Sequence, residues 1–313
     1  MAFCCRIVGK DDILMDSYKL VGIGLTLLGG ALWGLSGTSS QFIQQDRFIT
    51  PEWLLVSRLF IAGAINIIWA ALKDGKDVFR VFSVPKDVVK MSIFGVFGVA
   101  LCQYAYFRSI YYAGAGIATV LQYLAPALIV IYMLLRYQKL PTKGEMISVV
   151  LATAGTFIIA LQGSWDVSGL DEVVLFWGIL SAIAVAIYSV QPVELLRTYG
   201  TLSILGWGML IGGVVGGLLW WPTEVPGYWD VYTYGAYFVI VILGTVVSFN
   251  AYLEGVRRIG AVQGTILSSI EPISAAILGW ALLGNHFLPS DYIGFTMILV
   301  TIFILAREKE KSE

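Results

Sequence analysis

The sequence predicts an all-α membrane protein, with ten transmembrane helices in two inverted five-helix repeats. Three observations lead to this prediction: the composition, a series of long apolar runs, and a block of sequence that occurs twice. Of the 313 residues, 58% are hydrophobic and 13% are charged, whereas soluble domains average about 45–50% apolar and about 25% charged residues. The net charge of −1 offers no basic surface for nucleic acid, so no such partner is expected.

Each predicted helix is a run long enough to cross a bilayer, which takes about 20 mainly apolar residues. Helices are favoured because backbone groups in hydrocarbon must be paired within the protein. The ten predicted spans are 20–43, 52–72, 89–111, 114–136, 143–162, 173–193, 200–221, 233–256, 260–283 and 289–306.

The spans divide the chain into two repeats, over 20–162 and 173–306, with terminal tails at 1–19 and 307–313. The first tail carries Asp11, Asp12 and Asp16 and has no apolar core, so it does not resemble a cleaved signal peptide. We therefore interpret the first apolar run as a retained span.

Basic residues predict the orientation, because they concentrate in the segments at one end of the spans. These residues are Arg6, Lys10, Lys19, Lys73, Lys76, Arg80, Lys86, Lys90, Arg136, Lys139, Lys143, Arg197, Arg257, Arg258, Arg307, Lys309 and Lys311. The opposite segments contain Arg47, with Arg108 nearby. Positive charge stays on the cytoplasmic side, so a multi-pass cell (inner) membrane protein with cytoplasmic N- and C-termini is expected.

The repeated block covers residues 98–134 and recurs 146 positions later. Its matched pairs include Tyr106 with Tyr252, Gly114 with Gly260, and Pro126 with Pro272. Five spans per half is an odd number, so the second copy must insert upside down. The sequence therefore predicts an inverted repeat around a shared site, as in many secondary transporters.

The matched motifs resemble the EamA-type transporters of the drug/metabolite transporter superfamily. The residues that carry the resemblance are Trp33-Gly34, Arg58-Leu59-Phe60, Ala105-Tyr106, Gly114-Ala115, Leu124-Ala125-Pro126, Ala251-Tyr252-Leu253, Gly260-Ala261 and Ile270-Glu271-Pro272. The resemblance covers essentially the whole chain and implies transport of small metabolites, including amino acids. One departure is that Tyr137-Gln138 and Gly284-Asn285 stand where the family usually has Gly-Glu.

Glu271 is the sharpest candidate for a functional residue, because it lies about ten residues into the ninth span. A charge at mid-bilayer costs about 2.5–3.5 kcal/mol on insertion scales, so such residues usually face a cavity or a partner. Glu271 is a candidate for carrying a coupled proton or for binding a substrate ammonium group. A hydrogen-bonded packing role is the alternative.

Pro126 and Pro272 are predicted to break their helices at equivalent mid-span positions. Proline lacks an N–H and clashes with the carbonyl four residues earlier. Broken helices at matched positions indicate a transport site, although a packing kink is an equal alternative.

Arg58 is always charged and lies inside the second span. It can extend to the surface, pair with Glu271, or bind a substrate carboxylate. Further polar and aromatic side chains are predicted to complete a substrate-binding pocket, although each is individually more typical of helix–helix contacts. These are Trp33, Gln103, Tyr106, Gln122, Tyr123, Tyr188, Asn250, Tyr252 and Ser268.

We expect a secondary transporter, and first an exporter of amino acids or similar metabolites that works by alternating access. Efflux of cationic drugs is the alternative, and a non-transporting receptor or membrane-embedded enzyme is the alternative of another class. No catalytic constellation, phosphate-binding loop or metal motif is present in the sequence, so no enzyme, cofactor or metal is expected; proton coupling stays open. The partners expected are a small-molecule substrate and the lipid bilayer, for a monomer or homodimer.

Cysteine usage adds little. Cys4, Cys5 and Cys102 form no spaced framework and no C-x-x-C pair, so free thiols are expected. Whether Cys4 or Cys5 is acylated depends on the host.

Overall fold

The computed structural model describes residues 10–138, 140–161, 171–220, 224–283 and 288–307. Some predictions therefore concern residues outside this part of the chain. They are those on Arg6, Cys4, Cys5, Lys139, Gly284, Asn285 and residues 308–313.

The described residues form α-helices, with no strand among them. The helices are α1 Lys10–Gln41, α2 Pro51–Asp74, α3 Pro85–Ile93, α4 Leu101–Gln122, α5 Ala125–Tyr137, α6 Lys143–Leu161, α7 Glu172–Val190, α8 Val193–Tyr199, α9 Thr201–Leu219, α10 Val231–Phe238, α11 Ser248–Ile259, α12 Ala261–Leu267, α13 Ile270–Leu283 and α14 Pro289–Arg307. A 3₁₀-helix follows α2, and wider π-helical turns at Phe42–Asp46, Phe94–Ala100 and Val239–Val247 continue α1, join α3 to α4, and join α10 to α11.

Nine helical stretches in the described residues are long and apolar enough to cross a membrane. Each overlaps one of the predicted spans, and the chain is a multi-pass membrane protein. The predicted fifth span corresponds to α6, which packs beside α14 but is not among the nine. A count of ten spans therefore stays a prediction. The first helix begins at Lys10, inside the segment expected to be a polar tail.

Short polar residues explain where several helices begin. The hydroxyl of Thr50 accepts from the N–H of Trp53 at the start of α2, where Pro51 occupies the first turn. Asp171 and Asp230 cap α7 and α10 in the same way, each at 2.8 Å. Such caps satisfy N–H groups that have no partner within the helix.

The two halves share an unusual backbone feature at Gly114 and Gly260. These glycines have φ/ψ of 79°/167° and 86°/162°, a region that is essentially restricted to glycine. Each lies where the chain reverses into the next span. The α-helix is then interrupted again, at Tyr123–Leu124 in the first half and at Ser268–Ser269 in the second.

Helix packing is also similar in the two halves. Helix α4 packs on α7 and α11 packs on α1, while α2 packs on α9 and α6 on α14. The close approach of α1 to α13 requires Gly34, because a Cβ there would overlap the Ser274 hydroxyl and the Glu271 carbonyl. The largest buried apolar cluster lies among these helices and includes Phe94, Tyr188 and Tyr252.

Gly260→Ala tests the backbone requirement without a steric clash, since nothing lies within 4 Å of a Cβ placed there. We expect it to lower the free energy of unfolding by roughly 1–3 kcal/mol, the usual cost of such a conformation for other residues. Thermal unfolding of the purified protein in detergent measures the effect.

The matched control is Gly235→Ala, which also has open space around its Cβ but lies inside helix α10. Because alanine favours a helix interior by about 0.5–1 kcal/mol over glycine, this control should be neutral or stabilising. Equal losses in the two variants would contradict the conformational explanation.

Candidate functional site

A cavity in the centre of the bundle brings together residues from both halves of the chain. Its lining comprises Trp33, Ser36, Gly37, Ser40, Arg58, Cys102, Gln103, Tyr106, Phe107, Gln122, Tyr188, Phe249 and Glu271. We call this space the central cavity. Seven of the predicted binding residues line it: Trp33, Arg58, Gln103, Tyr106, Gln122, Tyr188 and Glu271.

Glu271 is held by neutral hydroxyl groups of the other half of the chain. Tyr106 donates to its Oε1 at 3.2 Å, and the Tyr123 hydroxyl lies 3.2 Å from its Oε2. The Tyr106 hydroxyl also bonds to Thr119 at 2.9 Å. Glu271 is 5% exposed, and among the described residues no cation lies within 4.0 Å of it. Its carboxyl group is thus fixed in position without an internal cationic partner.

The proline in α13 supplies one more contact to this arrangement. Because Pro272 has no N–H, the Ser268 carbonyl four residues earlier lacks its usual helical donor and accepts instead from the Glu271 N–H at 3.0 Å. The Tyr123 hydroxyl donates to that carbonyl at 2.5 Å. Tyr123, Ser268, Gln122 and Pro126 also line a smaller space beside Glu271.

Arg58 is buried in the same cavity, at 4% exposure, so it does not extend to the surface. Its Nε donates to the Thr245 hydroxyl at 2.9 Å, and its guanidinium lies 4.8 Å from the centre of the Phe107 ring. It forms no ion pair with Glu271 or with any other described carboxylate. Its terminal N–H groups make no hydrogen bond to a described residue, which leaves a cation on one wall of the cavity.

Gln103 carries an unused hydrogen-bonding group. Its side chain is 4% exposed, and both its amide nitrogen and its amide oxygen lack a partner. The indole N–H of Trp33 is likewise buried and unpaired. More than 90% of buried polar groups in proteins are hydrogen-bonded, so unpaired groups that line a cavity indicate a place for water or ligand.

Aromatic side chains form one wall of the central cavity. Trp33 lies 5.0 Å from Phe249 and 4.9 Å from Tyr252, measured between ring centres, and Tyr188 packs against both Phe249 and Tyr252. Tyr252 is fully buried behind this wall, where its hydroxyl bonds to Ser189 at 2.8 Å. Tyr252 was predicted to bind substrate, but in this conformation it supports the wall.

A second and larger cavity, of about 680 Å³, lies at the end of the bundle where Lys73, Arg80 and Arg257 are found. We call this end the basic end and the cavity the vestibule. Asn250 lines the vestibule rather than the central cavity, and its amide donates to Asn66 at 2.5 Å. Helix α11 therefore lies between the two cavities, with Phe249 on one and Asn250 on the other.

The opposite end is closed by an apolar cluster of Ile43, Ile49, Leu54, Phe107, Ile110, Ala118 and Ile240. We call this cluster the apolar plug and this end the acidic end. Arg47 pairs with Asp230 there at 3.2 Å. The backbone N–H and hydroxyl of Thr233, with Arg47 beside them, hold the pKa of Asp230 below its ordinary value. Arg108 pairs with Glu52 at 3.3 Å.

The basic end has its own ion pairs. Lys90 pairs with Glu194 at 2.7 Å. Glu254 also pairs with Arg257 and Arg258, at 2.6 and 2.9 Å. Lys90–Glu194 and Arg47–Asp230 each join one half of the chain to the other, at opposite ends of the bundle.

Several cavity residues were not predicted from the sequence, namely Ser36, Gly37, Ser40, Cys102, Phe107 and Phe249. Ser36, Gly37 and Ser40 follow Trp33 at helical spacing, which is a signal that could have identified them. Among the described residues no group of three or more His, Cys, Asp or Glu side chains could hold a metal ion.

One known protein family has a model that matches both halves of this chain. The model of the EamA-like transporter family matches residues 20–161 and 173–307. The chain belongs to the EamA-like transporter family. The two matched segments correspond to the two predicted repeats, and membership points to a transporter rather than an enzyme.

Relatives of this EamA-like protein include an uncharacterized inner membrane transporter, YicL, of Salmonella typhimurium. It is 32% identical over 287 residues, which cover 91% of this chain and 95% of the relative. An uncharacterized transporter of Archaeoglobus fulgidus is 23% identical over 93% of this chain and 99% of its own length. A crystal structure that covers 92% of this chain, with 96% of its own chain covered, superposes with a TM-score of 0.72 at 20% identity, which shows a shared fold.

Proposed function

We propose that this protein is a secondary transporter that exports amino acids or closely related zwitterionic metabolites by alternating access. The observation that carries the proposal is that Arg58 and Glu271 line one cavity without pairing with each other. A substrate carboxylate would bind Arg58, and a substrate ammonium group would bind Glu271. Charge-assisted hydrogen bonds of this kind are about twice as strong as neutral ones.

The size of the central cavity supports a change of conformation during transport. Its volume is about 50 Å³, enough for a few water molecules. Pockets for small molecules are usually about 300–1,000 Å³. Substrate binding therefore needs an expansion of the cavity, toward one end of the bundle or the other.

An inverted repeat would allow both ends to open by the same motion. If each helix is replaced by its counterpart in the other half, the α4–α7 contact becomes the α11–α1 contact. The α2–α9 and α6–α14 contacts stay the same. The conformations of Gly114 and Gly260 match as well. These correspondences support an in-plane two-fold axis, around which the halves can rock.

The distribution of charge supports an inner-membrane location with the basic end and both termini in the cytoplasm. In that orientation the 680 Å³ vestibule faces the cytoplasm and the apolar plug closes the outer side. An exporter that is ready to load its substrate would have this arrangement.

Proton coupling is proposed through the same site. Glu271 is the acidic residue that lines the central cavity, and tyrosine hydroxyls rather than cations hold it. A carboxyl group in such surroundings can exchange a proton for a substrate ammonium group as the cavity opens to either side.

Efflux of cationic drugs is the second candidate function. The aromatic wall of Trp33, Tyr188 and Phe249 beside Glu271 favours it, because aromatic faces attract cations. The two candidates differ in what they require of Arg58.

Glu271→Gln should keep the fold, since the amide is nearly isosteric and can still accept a tyrosine hydroxyl. We expect transport to fall about tenfold or more, as for loss of a charge-assisted contact worth about 1.5–3 kcal/mol. If Glu271 carries the coupled proton, the variant also loses its dependence on a pH gradient. Uptake into proteoliposomes across a panel of amino acids, with and without that gradient, measures both effects.

Glu172→Gln is the matched control, because Glu172 is an exposed acid at the start of α7, outside the cavity. Its transport should stay close to wild type. Transport by Glu271→Gln within twofold of wild type at every pH would show that Glu271 only packs.

Arg58→Gln distinguishes the two candidate substrates. For a zwitterion carrier, transport of an amino acid should fall at least tenfold, while transport of the corresponding amine changes by less than twofold. Arg108→Gln is the control, because Arg108 lies outside the central cavity beside Glu52. Competition uptake of each amino acid against its decarboxylated amine gives both numbers, and equal losses would refute carboxylate recognition by Arg58.

Reporter fusions test the orientation. A reporter joined after Lys76 should be active in the cytoplasm, and one joined after Glu224 should be active outside. These positions follow the second and seventh predicted spans. Reporters that read the same side would contradict the predicted span count.

A further inference from the structure

One face of α1, and of the π-helical turn that continues it, carries buried polar groups that have no partner. Ser40 is 0% exposed, and its hydroxyl is unpaired. Gln44, one turn further toward the acidic end, is 2% exposed, and neither its amide nitrogen nor its amide oxygen has a partner. The indole N–H of Trp33 is also unpaired and lies on the same helix face, because Ser40 follows Trp33 by seven residues and Gln44 follows Ser40 by four.

Other hydroxyl groups on α1 behave differently, so the unpaired state is not a general property of the helix. Thr26, Thr38 and Ser39 each donate to the carbonyl four residues earlier, at 2.9–3.0 Å. A serine in an apolar helix normally satisfies itself in this way. Ser40 has the same option but does not use it, and its side chain faces the central cavity instead.

Gln44 lies in a π-helical turn, Phe42–Asp46, beside Ile43 of the apolar plug. A π-helical turn inside a helix is rare and is frequently found at functional sites. Burial of an amide without hydrogen bonds destabilises the folded state. A leucine at this position would avoid that destabilisation. The Gln44 amide makes no hydrogen bond in this closed state, so a conformation that uses the amide has to be a different one.

We propose that Ser40 and Gln44 form a polar step on the substrate route between the central cavity and the acidic end. The step is closed by the apolar plug in this structure and becomes hydrated when that end opens. Its amide and hydroxyl groups present donors and acceptors to a zwitterionic solute and to the water that accompanies it. This inference rests on the proposed transport function, because it requires the acidic end to open.

The test is accessibility to a charged thiol reagent, 2-(trimethylammonium)ethyl methanethiosulfonate, added from outside to spheroplasts of the expression host. We expect Ser40→Cys and Gln44→Cys, each in a chain that also carries Cys102→Ala because Cys102 lines the central cavity, to be labelled at least fivefold faster than the Cys102→Ala chain alone, which gives the background rate. Thr38→Cys and Ser39→Cys are the matched controls, because their native hydroxyls bond within the helix away from the cavity. They should label at the background rate.

Ser36→Cys separates failure of this inference from failure of the transport function, since Ser36 lines the central cavity. Labelling of Ser36→Cys without labelling at positions 40 and 44 would overturn the route along α1 and leave alternating access in place. No labelling at any of the three positions would overturn both.

A second measurement covers the case in which a fixed structural water satisfies Gln44. Gln44→Leu should keep or raise the melting temperature by a few degrees, because an unpaired amide is replaced by an apolar side chain. A lower melting temperature of Gln44→Leu, together with an unlabelled Gln44→Cys, would indicate a structural water and overturn the proposal.

Discussion

Two ionisable side chains, Arg58 and Glu271, are buried in the middle of an apolar bundle, and neither neutralises the other. Charged groups inside a membrane are rare because of their cost, and they usually face a cavity or a partner. Here the guanidinium is held by Thr245 and the Phe107 ring, and the carboxyl group by two tyrosine hydroxyls. These neutral contacts fix the position of each group without using up its charge. The helices that surround the central cavity therefore hold an arginine and a glutamate on its lining without pairing them.

Breaks in the helices make this arrangement possible. Gly114 and Gly260 reverse the chain in matching conformations, and at the interruption before Pro272 the Ser268 carbonyl accepts from the Tyr123 hydroxyl as well as from the Glu271 N–H. The site is thus built from backbone polarity as well as side chains, which a bilayer tolerates only where the irregular segment lies inside the protein.

The sequence was sufficient to predict the positions of nine spanning stretches, the two helix breaks and seven of the thirteen residues that line the central cavity. Long apolar runs, paired prolines and polar residues at helical spacing are local signals, and each can be interpreted without knowledge of the fold. The contacts of Arg58 were not predictable, because Thr245 lies 187 positions away. Membrane helices are apolar on nearly every face, so periodicity gives little information on how each helix is rotated. For the same reason the pairing of Asn66 with Asn250, and the place of Tyr252 behind the aromatic wall, required the structure.

The two ends of the bundle differ in what it would cost to open them. Lys90 and Glu194, at the basic end, are 41% and 77% exposed, and such surface ion pairs contribute little to stability. The acidic end is closed by side chains such as Ile43 and Leu54, which are fully buried. Exposing one side chain of this size to water costs about 1.5–3 kcal/mol. In the proposed cycle the resting protein therefore faces the basic end.

A ligand shifts the equilibrium between two conformations only by the difference between its affinities for them. The free energy that opens the apolar plug therefore has to come from contacts that the substrate or a proton makes better in the outward-facing conformation. Unpaired groups beside the plug, such as the Gln44 amide, are suited to supply such contacts because they have no partner to lose.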